Sequence, residues 1–288
     1  MLSEKISNGI LSVEIENLGA QLKSVVKNGV EYLWQGGEAW KGRAYNLFPV
    51  VGRLVDSKYL HNGVEYTLPI HGFIKTTELK TLSNDGKSVT FYTESNEETK
   101  KVYPFDFEYK ITYTLVDDTL KTTYEVKNTG AEDMYFAVGG HPGINLPLEG
   151  DKSDWYLEFE NECKPSEIRF NEKGLFYTEN GEYSLYENKK FFFNKKYFDG
   201  TGVYFKGAAK GVTLKSDKSD LSVKVTYPDM RFIAFWTTED YSQFVCIEPW
   251  DSLPDPNMNE SQELKDKPYM TKLSVNETFV NGFDMKIK

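Results

Sequence analysis

The segment FDFEYKITYTLVDDTLKTTYEVKN, residues 105–128, consists of two runs in which apolar residues recur at every second position. In the first run these residues are Phe107, Tyr109, Ile111 and Tyr113. Successive side chains of a β-strand point to opposite faces, so a period of two predicts strands with one buried face. The Val-Asp-Asp-Thr link between the runs is a turn signal, which predicts an antiparallel hairpin.

The same alternation recurs on both sides of this hairpin, as in ILSVEIE (10–16) and LSVKVTY (221–227). Asn-Gly pairs in KNGVEYLW and HNGVEYTL separate further strand-like runs and favour tight type I′ turns. No window of a dozen residues shows a convincing helical period with caps. We therefore predict an all-β fold in which two large antiparallel sheets pack face to face. No linker or change of composition divides the chain, which predicts a single domain over residues 1–288.

The formal net charge of −10 and the pI near 5.0 argue against two classes of partner. Nucleic acid requires a basic surface to neutralise its phosphates, so we expect no nucleic-acid partner. An anionic membrane surface is disfavoured for the same reason. A small anionic ligand is still compatible with this composition, since it needs only one or two local basic groups.

The sequence also limits the cellular setting and the cofactors that we expect. Two cysteines, Cys163 and Cys246, are too few for a disulfide framework and lack metal-ligand spacing. No N-terminal basic segment precedes an apolar one, and no apolar run reaches the roughly 18–20 residues of a membrane span. We expect a cytoplasmic protein. Three dispersed histidines and no phosphate-binding or hydrolase motif lead us to expect no metal and no cofactor.

Two segments, residues 34–58 and 251–269, interrupt the strand pattern. The first is rich in glycine and aromatic residues, and the second is polar and contains three prolines. Long irregular connections on a β scaffold often carry function, although they also serve as ordinary rim loops. Arg53 lies in the first segment, after an apolar run and a glycine. It is either a donor at the mouth of a cleft or a side chain that extends into solvent.

Three further residues stand out because of their settings. His71 in LPIHGF precedes a glycine, and His141 in GGHPGINLPL is flanked by residues too small to fill the space around an imidazole. Glu248 in VCIEPW ends an apolar strand, where burial would raise its pKa and suit it to act as a base. Each also has a structural interpretation: a hydrogen-bonded turn histidine, a Gly-Pro turn, or a solvent-facing strand end.

Four motifs, taken in their order along the chain, resemble the aldose 1-epimerase (galactose mutarotase) family. They are LFPVVGRL, LPIHGF, GGHPGINLPL and VCIEPW, and the resemblance continues in WQGGEAWKG and LPDPNMNESQELKDKPYM. It covers nearly the whole chain. The neighbours of the four residues differ from those in galactose mutarotases, where two glycines follow the first histidine and an asparagine precedes the second. These variants look like the divergent bacterial branch that includes the LacX proteins.

The resemblance implies a large antiparallel β-sandwich of the galactose mutarotase-like (supersandwich) type, with a site in an open cleft across one sheet. It implies an isomerase that interconverts the α and β anomers of an aldohexose such as galactose without a cofactor. Glu248 would be the general base and His141 the general acid. Arg53 and His71 would bind the substrate. Asp199 is the candidate for a further substrate-binding acid.

Several alternatives remain open at this point. The substrate could be a hexose 6-phosphate, or the chain could be a non-catalytic carbohydrate-binding protein with the same fold. Phe73 replaces the second glycine of the histidine motif and is a candidate for setting substrate preference. The tryptophans are either a sugar-stacking surface or part of the core, namely Trp34, Trp40, Trp236 and Trp250. A monomer or homodimer is expected.

Overall fold

The computed structural model describes residues 2–171, 173–182, 189–193, 202–238, 243–256 and 261–288. Helices are short in this part of the chain, and its α-helix, α1 (Glu97–Lys100), has four residues. Single turns of 3-10 helix occur at Val55–Ser57, Ile74–Thr76, Lys152–Asp154 and Leu264–Asp266. Within the described ranges, no helix is long and apolar enough to cross a membrane.

The remaining regular structure is strand. In chain order the strands are β1 (Ser3–Ser7), β2 (Leu11–Glu16), β3 (Leu22–Lys27), β4 (Val30–Glu31), β5 (Ala44–Leu47), β6 (Lys58–His61), β7 (Val64–Thr67), β8 (Lys80–Asn84), β9 (Ser88–Glu94), β10 (Phe107–Val116), β11 (Thr119–Asn128), β12 (Met134–Phe136), β13 (Gly139–Asn145), β14 (Trp155–Phe159), β15 (Ser166–Phe170), β16 (Phe176–Glu182), β17 (Lys190–Phe192), β18 (Val203–Lys206), β19 (Gly211–Ser216), β20 (Ser222–Thr226), β21 (Phe232–Trp236), β22 (Phe244–Trp250), β23 (Thr271–Leu273) and β24 (Thr278–Ile287).

Two large antiparallel sheets dominate, which confirms the predicted all-β sandwich. One has nine strands in the order β17-β14-β19-β20-β24-β11-β10-β9-β8. The other has seven strands in the order β16-β15-β18-β21-β22-β13-β5. A four-stranded sheet, β1 to β4, and the two-stranded pairs β6–β7 and β12–β23 complete the described architecture. Apolar side chains from both large sheets share one core cluster.

The hairpin predicted over residues 105–128 lies within the nine-stranded sheet as β10 and β11. Residues of β10 alternate between buried and partly exposed along the strand, as the sequence pattern predicted. Ile111 pairs with Tyr124 in the register, and both are fully buried. The two Asn-Gly pairs also form the predicted turns. Asn62 and Gly63, between β6 and β7, both have positive φ, as a type I′ turn requires.

The seven-stranded sheet has one face on the core and the other on a cleft. On the core side, a Cβ atom added to Gly140 would lie 2.4 Å from the Phe283 ring, so only glycine permits this approach of β13 to β24. The Tyr124 hydroxyl donates to Asn46 Oδ1 at 2.9 Å and joins the two sheets. The next residue of β13, His141, points to the opposite face, because strand side chains alternate.

Candidate active site

The strand register brings His141 and Glu248 together although 107 positions separate them in the sequence. In β13 and β22, Gly139 pairs with Trp250 and Gly143 pairs with Cys246. This antiparallel register places residue 141 directly opposite residue 248. Side chains of directly opposed residues point to the same face, with Cβ atoms about 4.5–5.5 Å apart.

His141 and Glu248 form a close and deeply buried pair. The Nε2 atom of His141 lies 3.2 Å from the Oε2 atom of Glu248. The two residues are 8% and 1% exposed, respectively. Neither Oε2 of Glu248 nor Nδ1 of His141 has a hydrogen-bond partner among the described residues. Buried polar atoms are costly unless they are hydrogen-bonded, so the described protein groups leave this pair incompletely satisfied.

Burial moves the pKa values of this pair in opposite directions. It raises the pKa of the Glu248 carboxyl well above its usual range, which is the predicted direction. It lowers the pKa of the His141 imidazole to about 3, and the Lys75 cation adds a smaller effect in the same direction. Desolvation disfavours the charged form of each group. A general acid is expected to titrate near neutral pH. In the ligand-free cleft, His141 does not meet this expectation.

His71 approaches the pair from a strained turn. Its φ angle is +65°, a left-handed conformation that is uncommon for residues other than glycine. Two hydrogen bonds with Gly52 hold it there: the Gly52 N–H donates to His71 Nδ1 at 3.0 Å, and the His71 N–H donates to the Gly52 carbonyl at 2.8 Å. Because Nδ1 accepts, the neutral ring carries its proton on Nε2 and can donate it to a ligand.

The charge state of His71 agrees with this assignment. Burial lowers the pKa of His71 well below its usual value, and His141, Lys75 and Arg53 lower it further. The imidazole is therefore neutral at physiological pH. Its ring centroid lies 5.5 Å from that of His141, with the two planes perpendicular. His71 is thus a neutral hydrogen-bond donor beside the buried pair.

Phe73, the candidate for setting substrate preference, is not among the residues that line the cleft. Its ring packs on the core, with centroids 5.9 Å from Phe48 and 6.2 Å from Phe107. The turn after His71 directs it inward, and Gly72 is needed for that turn. A Cβ atom there would lie 2.2 Å from the Phe48 carbonyl oxygen, and its φ is +70°.

Arg53 lines the same cleft as His71, His141 and Glu248. The cleft has a volume of about 390 Å³, which is in the range of small-molecule sites, roughly 300–1,000 Å³. Asp255 holds the backbone of the segment that contains Arg53, because the Asp255 N–H donates to the Arg53 carbonyl at 2.9 Å. Asp255 Oδ2 in turn accepts from the Val55 N–H at 2.9 Å and from Lys267 Nζ at 2.5 Å. Sequence reasoning did not identify this buried support.

Aromatic side chains form the walls of the cleft. The Trp40 ring stacks on His141, with centroids 5.0 Å apart and planes inclined by 30°. Trp236 meets the same imidazole edge-on at 5.7 Å, and Trp250 lies 5.7 Å from His71. Trp34 is not among the lining residues; it stacks on Phe244 behind them. Three of the four tryptophans considered above therefore line the cleft.

Lys75 also lines the cleft, and sequence reasoning missed it. The residue follows the His71 turn on the 3-10 helix Ile74–Thr76, so its position depends on the path of that turn. No local motif of the sequence singles it out. Asp199, the remaining site residue predicted from the resemblance, lies outside the described residues.

One group of side chains in the described ranges could supply donors to a metal ion. His141, Cys246 and Glu248 are buried, with their donor atoms within 4.8 Å of one another. Burial, followed by the Glu248 charge, raises the pKa of the Cys246 thiol well above its usual value. Metals bind the thiolate, so a thiol that resists ionisation is a poor ligand. The expectation of a metal-free site is compatible with this chemistry.

Comparison with known proteins identifies the family of the chain. The family model for aldose 1-epimerase matches residues 4–267. The plasmid-encoded protein LacX of Lactococcus lactis subsp. lactis is 33% identical over 98% of each chain. This similarity confirms the resemblance to the LacX branch.

Two solved structures share the fold closely. A galactose mutarotase related enzyme from Lactobacillus acidophilus has a TM-score of 0.95 and 30% identity, covering 100% of this chain and 97% of that chain. A galactose mutarotase-like protein from Lactobacillus casei ATCC 334 has a TM-score of 0.93 and 26% identity, with both chains covered completely. The family match over most of the chain, together with these relatives, shows that the chain belongs to the aldose 1-epimerase family.

Proposed function

We propose that this protein is an isomerase that interconverts the α and β anomers of an aldohexose by acid/base-catalysed opening and closure of the sugar ring. The observation that carries the proposal is the contact between His141 Nε2 and Glu248 Oε2, 3.2 Å, in the cleft. An acid and a base so close together can serve the two oxygens attached to the anomeric carbon. These oxygens are the anomeric hydroxyl and the ring oxygen.

Ring opening uses the two groups together. The Glu248 carboxylate takes the proton of the anomeric hydroxyl while the bond between the anomeric carbon and the ring oxygen breaks. The His141 imidazolium gives its proton to that ring oxygen, and the product is the open-chain aldehyde. Rotation about the bond between C1 and C2 presents the other face of the carbonyl. The reverse transfers then close the ring, so no proton is gained or lost overall.

Ring opening in this form requires one proton on His141 and none on Glu248. In the ligand-free cleft, burial favours a protonated carboxyl and a neutral imidazole. A sugar hydroxyl that donates to Glu248 stabilises its carboxylate, because a hydrogen bond to the charged form lowers the pKa. The proton can then pass to His141 across the short contact. The pair titrates as a unit, with pKa values that belong to both groups.

The other residues bind and orient the sugar in this proposal. His71 donates from Nε2 to a ring substituent, and Arg53 donates to hydroxyl groups at the rim. Trp40, Trp236 and Trp250 offer apolar surface to the C–H faces of the ring. Asp199 remains a proposed substrate-binding acid.

Polarimetry of freshly dissolved sugars tests the proposal directly. Single anomers of galactose, glucose and their derivatives are mixed with the purified protein, and the optical rotation is followed. We expect equilibration well above the rate in buffer for at least one aldohexose. A rate equal to that in buffer for every sugar would contradict the proposal. Sugar binding without such acceleration would instead indicate a non-catalytic carbohydrate-binding protein.

A further inference from the structure

Arg53 and Lys75 place two positive charges in one cleft without a carboxylate partner among the described residues. Both side chains line the cleft that contains His141 and Glu248. Glu248 is the sole carboxylate among the described lining residues, and burial keeps it from ionising readily. The described lining is therefore cationic in a protein whose formal net charge is −10.

Three other basic side chains, each at a partly or fully buried position, contact a carboxylate. Arg43 contacts Glu16, Arg231 binds Asp251, and Lys267 binds Asp255. Lys75 Nζ instead donates to the Ile70 carbonyl at 2.5 Å, which fixes the ammonium group without neutralising it. The ammonium group also lies 5.7 Å from the centre of the Tyr45 ring.

Arg53 and Lys75 line one cleft, and the two charges affect each other. Lys75 is less than half exposed, and burial lowers its pKa; the Arg53 charge lowers this pKa further. The Arg53 and Lys75 charges also lower the pKa of His71. Hydrogen bonds from Gly52 to His71 and from Asp255 to the Arg53 carbonyl hold the backbone around Arg53. Arg53 itself is exposed and lines the cleft. Like charges in one cleft repel each other, and a bound anion offsets this cost.

We propose that the aldose bound in this cleft carries an anionic group, and that Arg53 and Lys75 bind that group. This inference rests on the proposed function and names its substrate class. Ring opening requires a free hydroxyl at C1, so the anion must be on another carbon. A phosphate or a carboxylate at the far end of the sugar satisfies this condition. Guanidinium and ammonium groups bind either anion through charge-assisted hydrogen bonds.

Exchange NMR between the anomeric signals tests the inference. The probes are glucose and galactose, their 6-phosphates, and the corresponding 6-carboxylates, glucuronate and galacturonate. For the wild type we expect kcat/KM for one anionic series to exceed that for the neutral sugars by about tenfold to a hundredfold, since each 1.4 kcal/mol is tenfold and a charged hydrogen bond contributes about that or more. The preferred series distinguishes phosphate from carboxylate.

Three variants assign the preference to Lys75. Lys75→Met should reduce the ratio of anionic to neutral kcat/KM by roughly tenfold, mainly through KM. Lys75→Arg, which keeps the charge, should restore most of the ratio. Lys80→Met, at an exposed position of β8, is the matched control and should leave the ratio unchanged. Equal kcat/KM for neutral and anionic sugars, or an unchanged ratio in Lys75→Met, would overturn the inference.

A binding measurement separates this inference from the proposed function. Isothermal titration calorimetry with glucose 6-phosphate and with glucose reports affinity whether or not the ring opens. If no sugar is turned over, the proposed function fails; the anion site then stands only if the phosphate binds more tightly than glucose and Lys75→Met removes that difference. Equal affinity for the two ligands contradicts the anion site in either case.

Discussion

Two buried pairs of an acidic and a basic residue differ sharply within this molecule. Asp255 and Lys267 are each 2% exposed at the side chain, and Asp255 Oδ2 accepts hydrogen bonds from Lys267 Nζ and the Val55 N–H. Glu248 and His141 are similarly buried, but the Glu248 Oε2 atom has no hydrogen bond among the described residues. The first pair is satisfied by the protein itself. The second leaves two buried polar atoms without a partner among the described residues.

We infer from this difference that the Asp255–Lys267 pair supports the fold and that the His141–Glu248 pair serves the proposed chemistry. A hydrogen-bonded buried ion pair becomes strongly destabilising only when one partner is removed. A buried acid and base that lack partners reduce the stability of the fold, and such strain is typical of functional sites. The following predictions test this contrast, from the largest expected effect to the smallest.

Removing either member of the His141–Glu248 pair should have the largest effect on activity. We expect Glu248→Gln and His141→Asn each to lower kcat by about 10²–10⁴-fold, the usual contribution of general acid–base catalysis. The double variant should be little worse than the single ones, because residues that act as a unit are not additive. Exchange NMR on the best substrate measures all three. If the loss of kcat in the double variant equals the product of the two single losses, the two residues act independently.

Removing Lys267 should instead affect stability. Lys267→Met leaves Asp255 buried without its cation and should lower the free energy of unfolding by about 3–5 kcal/mol, as for other broken buried pairs. Urea denaturation measures this value. The double variant Asp255→Asn with Lys267→Met removes both charges and should recover much of the loss. A loss below about 1 kcal/mol, within the range of exposed pairs, would show that the pair is not structural.

The pH dependence of stability should show the opposite pKa shifts of His141 and Glu248. The pKa of His141 falls to about 3 on folding, so the unfolded chain binds this proton first and stability is lost as the pH falls from about 6.5 towards 3. His141→Asn should remove up to about 1.4 kcal/mol per pH unit from the slope in this window. Urea denaturation at several pH values measures the slope, and an unchanged slope would contradict neutral burial of His141.

Glu248 should act in the opposite direction. Its pKa is raised in the folded protein, so the folded chain keeps the proton longer and stability is lost as the pH rises above about 4.3. The variant Glu248→Gln has no ionisable group at this position. Its stability relative to the wild type should therefore increase with pH above that point. The same denaturation series serves as the test. A stability difference that is constant from pH 4 to 8 would argue against the raised pKa.

The smallest effect is expected at the aromatic wall. Trp40→Phe keeps an aromatic ring near His141 but reduces the stacked area. Aromatic pairs contribute about 0.5–1.5 kcal/mol beyond burial, so we expect a loss of roughly two- to tenfold in kcat/KM. Kinetics at matched pH check this value. A loss as large as that of His141→Asn would show that the indole does more than pack on the imidazole.

Local patterns predicted most of the fold. The alternation in residues 107–128 specified β10 and β11, because packing one face of a strand requires it. The Asn62-Gly63 turn followed from the positive φ that only a few residues adopt readily. The position of His141 beside small residues and of Glu248 at a strand end also pointed to the site. Their mutual distance could not be predicted, because it depends on the register of two strands far apart in sequence.

Side chains placed by turns and loops were beyond the reach of sequence patterns. Lys75 lines the cleft and Phe73 packs on the core because of the left-handed conformations at His71 and Gly72. The buried partnership of Asp255 with Lys267 likewise depends on tertiary packing. These positions carry no periodic signal, since each is set by contacts between distant segments.

The most direct test of the central claim compares Glu248→Gln with Glu98→Gln, whose carboxyl is exposed on α1. Both variants lose one carboxylate, but only the first lies in the cleft. Exchange NMR at equal protein concentration should show a catalysed rate about 10²–10⁴-fold below wild type for Glu248→Gln and the wild-type rate for Glu98→Gln, with both variants folded by circular dichroism. Wild-type exchange by a folded Glu248→Gln variant would contradict the assignment of the buried pair as the acid and base of anomer interconversion.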